Sequence, residues 1–121
     1  MGMPGLTEIE RRTVRAALVA ELARADEQAA SLARQFDDIV AAAEMSNVDD
    51  EHDPEGATIA FERAQVSALR GQAVRDAAAL RRTLAEVDDD GFGACEGCGR
   101  PIGVERLLAL PATRRCVECA R

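Results

Sequence analysis

The strongest constraint on this chain is a seam. Between Gly5 and Pro54 there is no glycine or proline, and apolar residues recur as Leu18, Leu22, Ala25, Ala29, Leu32, Phe36, Ile39 and Ala43. The steps run 4, 3, 4, 3, 4, 3 and 4. That is a heptad repeat, and a stripe so spaced requires an apolar partner along its length. The segment opens on Thr7-Glu8-Ile9-Glu10. This is the capping-box form, in which a hydroxyl serves the third helical N–H and a Glu reaches back to the cap. The pattern predicts a helix from Thr7 to about Glu44, roughly 55–60 Å long at about 1.5 Å per residue.

Residues 46–56 read SNVDDEHDPEG. Helix formers vanish, Asp49, Asp50, Glu51, Asp53 and Glu55 gather without an arginine, and Pro54 and Gly56 punctuate the end. A loop is expected here. From Ala57 to Val87 a helical pattern resumes through Ile59, Val66, Leu69, Ala73, Leu80, Leu84 and Val87, with Gly71 inside it. Asp88-Asp89-Asp90-Gly91 ends it. Two long amphipathic segments joined by a short loop fold back most simply as an antiparallel hairpin. Leu22, Leu32, Phe36 and Ile39 would then face Leu69, Leu80 and Leu84. A homodimeric coiled coil satisfies the first seam equally but leaves the second helix in need of its own partner, so a monomer is expected.

Composition agrees with long thin helices. Of the 121 residues 47% are hydrophobic, but 24 are alanine and the only aromatics are Phe36, Phe61 and Phe92. Alanine favours helix and allows close helix approach. Folds built on β-branched alternation, and single-strand binders that stack bases on aromatics, are largely excluded. The expected architecture is all-α: a helical hairpin over residues 1–90, with a loop at 46–56, and a small cysteine-rich unit over 91–121.

Charge narrows the partners. Residues 1–90 hold 19 acids and 10 arginines, and residues 91–121 hold 3 and 5. The long part is repelled by a phosphate backbone, so nucleic-acid binding by it is disfavoured. Four thiolates and one Zn²⁺ would cancel the +2 of the shorter part, in which the Arg114-Arg115 pair is the sole feature favouring DNA. The first ten residues contain acids and no apolar core, and the longest apolar runs, Ala16–Ala20 and Ile39–Ala43, are five residues. Neither an export signal nor a membrane span is expected. A cytoplasmic location follows, where disulfides are rare.

The four cysteines fall as Cys95-Glu96-Gly97-Cys98 and, after seventeen residues, Cys116-Val117-Glu118-Cys119. Two CxxC pairs at this separation are a four-cysteine zinc pattern. Two intervening residues let one knuckle present both sulfurs to a tetrahedral ion, and Gly97 and Gly99 free the backbone to turn. So short a segment buries too little surface to fold alone, so metal ligation supplies its folding energy. Four thiolates leave no position for water, which makes the single zinc structural. The lone His52 lies among acids, and no Ser/His/Asp set or phosphate-binding loop is present. An enzyme is not expected.

The residues now carry a family resemblance. Phe92-Gly93-Ala94-Cys95, Cys98-Gly99, Ile102, Arg106-Leu107, Ala109, Pro111 and Cys116-Val117-Glu118-Cys119 resemble the zinc finger of the DksA/TraR family. A preceding helical hairpin with an acidic turn fits that family too. The resemblance implies a regulator that binds bacterial RNA polymerase rather than DNA. It implies a hairpin entering the secondary channel, with Asp49, Asp50, Asp53, Glu55 and Ala57 at a tip near the catalytic centre. The chain departs from the pattern at Gly56 in the tip and at Leu110 before the finger's proline. The basic helix that contacts ppGpp in the family would follow the last cysteine, and here the sequence ends at Arg121. A zinc-stabilised coiled-coil module for another protein partner is the alternative reading.

Overall fold

The computed structural model describes residues 5–45 and 54–121, with side chains at all of these except Pro54 and Glu55. Three helices follow in order: α1 at Glu8–Met45, α2 at Pro54–Glu86 and the short α3 at Val104–Ala109. Among the described residues there is no strand, only an isolated antiparallel bridge between Ala94 and Pro101. None of the described helices is long and apolar enough to cross a membrane.

The α1 N-terminus forms as its sequence dictates. The Thr7 N–H donates to Glu10 Oε1 at 2.9 Å and the Glu10 N–H donates to Thr7 Oγ1 at 3.1 Å. This reciprocal pair satisfies two donors that a helix start leaves open. The expected loop is shorter at its far end, because Pro54, Glu55 and Gly56 belong to α2. Proline's fixed φ and missing N–H suit the first helical position, so Pro54 starts the helix instead of ending the loop. The remainder of that loop, residues 46–53, lies outside the described residues.

The structured chain divides into two units. One comprises the described residues up to Ala23 together with Ala77–Arg121, and the other comprises Arg24–Asp76. In the first unit the start of α1 meets the end of α2, so the helices run antiparallel there. The Arg11 guanidinium donates to the Val87 carbonyl, and Arg15 pairs with Asp88. Val14 and Leu18 on α1 and Ala77, Leu80 and Val87 on α2 are buried. Thr83 is buried as well, its hydroxyl donating to the Ala79 carbonyl at 2.9 Å, so its polarity is satisfied within its own helix.

In the second unit the core is thinner. Leu32 and Ala73 are buried, while Ala25, Ala29, Phe36, Ile39 and Ala43 on α1 and Ile59 and Val66 on α2 are half-buried. Every heptad position of α1 is therefore covered to some degree. One expected seam residue is not: Leu69 is 48% exposed. Ile59, Val66 and Ala73 fall on one row at seven-residue spacing, and Leu69 sits about 60° round the helix from Val66. A seam so rich in alanine covers a narrow stripe, and a leucine at its edge stays in water.

Candidate metal centre

The C-terminal segment turns back on itself twice. At the first knuckle the Cys95 N–H donates to the Arg100 carbonyl at 2.7 Å and the Gly99 N–H donates to the Cys95 carbonyl at 2.8 Å. Gly99 has φ +77, which a side chain rarely adopts. Gly97 is required for a different reason: a Cβ there would lie 3.1 Å from Cys119 Sγ and 3.3 Å from Cys119 Cβ. Its N–H instead approaches Cys95 Sγ at 3.3 Å. At the second knuckle the Ala120 N–H donates to the Cys116 carbonyl at 3.0 Å.

Between the knuckles runs α3, entered through Gly103 at φ +98 and held by Leu107, which is fully buried. Arg106 Nε donates to the Arg115 carbonyl at 2.8 Å, and the Glu96 N–H donates to the Arg114 carbonyl at 2.9 Å. These bonds tie the two knuckles together. Arg114 also reaches Glu86 at 2.8 Å, joining the finger to the end of α2, and Arg115 reaches Glu96 at 3.6 Å. The arginine pair, which as sequence is a basic patch, is thus engaged with carboxylates of the same unit.

Cys95, Cys98, Cys116 and Cys119 converge, with their sulfurs all within 4.8 Å of one another. Cys98 Sγ and Cys116 Sγ are 3.8 Å apart. A tetrahedral ion with Zn–S bonds of about 2.3 Å sets its sulfurs about 3.8 Å apart, so the donor set fits zinc in type, number and spacing. The thiols also compete for protons. The Cys116 N–H directed at its sulfur, which outweighs burial, lowers Cys95 to about 6. Cys116 is lowered too, chiefly by the Cys119 N–H. Hydrogen bonding to Cys95, and then to Cys116 and Cys98, pushes Cys119 up to about 12. Four crowded sulfurs thus share protons that a divalent cation would displace.

The structure brings together all four cysteines read from the sequence. Of the acidic turn, Asp49, Asp50 and Asp53 lie outside the described residues. Glu55 and Ala57 fall in the first turn of α2, where Ala57 is exposed. Sequence reasoning missed Leu6, whose side chain lies 3.5 Å from where a Cβ on Gly93 would stand. It also missed Val14, although the four-residue step from Val14 to Leu18 extends the heptad and was legible.

Comparison with known proteins agrees with this geometry. Residues 91–121 match the family described as the prokaryotic dksA/traR C4-type zinc finger. Over 40 residues the chain is 45% identical to the RNA polymerase-binding transcription factor DksA of Escherichia coli, a stretch covering 33% of this chain and 26% of that protein. The DksA of Haemophilus influenzae is 42% identical over 40 residues, covering 33% of this chain and 28% of that one. The matched stretch spans about a quarter of the length of these curated relatives. The structure of transcription factor DksA2 from Pseudomonas aeruginosa superposes with a TM-score of 0.77 at 18% identity, covering 93% of this chain and 81% of that one. The fold is accordingly all-α, a helical hairpin with a C-terminal four-cysteine zinc finger.

Proposed function

Residues 91–121 are a zinc finger of the DksA/TraR type, and on that premise we propose that this chain is a transcription regulator that binds bacterial RNA polymerase. The helical arm of residues 1–90 enters the secondary channel, the acidic turn leading, and the finger of residues 91–121 braces the arm's base. The single observation that carries this reading is the finger match, on four sulfurs spaced for one structural zinc. The hairpin fold supports it, as does the net acidity of the arm, which suits a basic, Mg²⁺-containing channel and not a nucleic-acid backbone.

In this role the chain is not a catalyst. Cys95, Cys98, Cys116 and Cys119 hold zinc, which supplies folding energy to the finger when bound. Asp49, Asp50, Asp53 and Glu55, with Ala57 beside them, bring negative charge to the polymerase active centre. The protein acts as a cytoplasmic monomer without sequence-specific DNA contacts. Competition with a known secondary-channel protein for purified core polymerase tests this: mutual displacement is expected. Simultaneous binding, or none, would leave a zinc-stabilised coiled-coil module for another partner.

A further inference from the structure

Over residues 59–69, α2 is apolar on two sides. The covered side carries Ile59 and Val66. The open side carries Phe61, Ala64, Ala68 and Leu69, spaced i, i+3, i+7 and i+8, and all are exposed. Phe61 is 70% exposed, in a chain with only two other aromatics. A single exposed apolar residue is ordinary on a monomer surface. Here two large ones share one flank of a continuous helix, about two turns apart. That is the spacing by which a helix seats itself in an apolar groove, and an aromatic at the middle of such a contact dominates its affinity.

Charge selects the occupant. Residues 24–76 hold 12 acids and 5 arginines, a net of −7, which is the formal charge of the whole chain. The remaining residues hold 10 of each and are neutral. A second copy seated on this face would bring two such acidic segments together against their repulsion. We propose that the Phe61–Leu69 flank of α2 is a docking ridge for an apolar slot between basic walls on a protein partner, with Phe61 as its anchor. The inference rests on the reading above, under which that partner is RNA polymerase. It adds a hydrophobic contact, insensitive to salt, to one otherwise made by charge.

The test measures affinity of wild type, Phe61→Ala and Leu69→Ala for core polymerase across a salt series, with melting temperature and sedimentation alongside. Phe61→Ala should bind at least tenfold more weakly at every salt concentration, and Leu69→Ala more weakly than wild type by a smaller factor. All three should keep the same salt slope, melting temperature and monomeric state, because the deleted groups are uncharged and open to water. Equal affinity of wild type and both variants overturns the ridge and leaves the polymerase reading intact. Loss of a wild-type dimer on Phe61→Ala overturns it in favour of a second copy. Failure of wild type to bind polymerase overturns the ridge together with the reading it rests on.

Discussion

At the scale of single residues, the finger depends on what glycine omits as much as on what cysteine supplies. Gly97 leaves room for Cys119 Sγ, since an added Cβ would stand 3.1 Å from it, closer than nine in ten real Cβ contacts. Gly97→Ala should therefore bind zinc at least several-fold more weakly in competition with a chromophoric chelator, although it removes no ligand. Cys98→Ser removes a ligand outright and should lose the metal while circular dichroism retains most of its helical signal, because α1 and α2 have their own seam. A full metal complement in Cys98→Ser would refute the ligand set. The ligands were legible from spacing alone, because the CxxC knuckle is a local structure that four residues determine. The partners of Arg11, Arg114 and Arg115 were not. These are contacts between segments distant in sequence, which no local pattern records.

At the scale of elements, α1 was read almost to its ends because its repeat, its cap and its freedom from glycine and proline all agree. The second helix was read less well. Its seam over Ile59, Val66 and Ala73 is carried by small or widely spaced residues, and Leu69 competes with that row without joining it. The distinction has a measurable consequence. Leu32 is 6% exposed, and truncating it to Ala should cost about 2–4 kcal/mol in denaturant unfolding. Leu69→Ala should cost no more than about 0.5 kcal/mol, the range of surface substitutions. Equal losses would mean that the covered stripe of α2 is wider than its exposures indicate. The start of α2 at Pro54 was mistaken for loop because proline stops a helix everywhere except in its first turn.

At the scale of the whole molecule, charge and metal are set apart along the sequence: the zinc-binding cysteines lie in neutral regions and the net −7 in residues 24–76. Crowding like charges into a turn opposes folding slightly in solvent, so an acidic turn points to a use beyond stability. Asp53→Asn combined with Glu55→Gln should leave the melting temperature unchanged or slightly raised. The pair should retain binding to core polymerase while losing most of its effect on transcription from a responsive promoter. A double mutant that regulates like wild type would reduce these acids to solubilising charges. The most direct test of the central claim replaces the active-centre Mg²⁺ of polymerase with Fe²⁺ and maps hydroxyl-radical cleavage of the bound chain. Cuts confined to residues 46–56 are predicted; cuts in the finger instead, or an intact chain in a demonstrated complex, would contradict entry by the acidic turn.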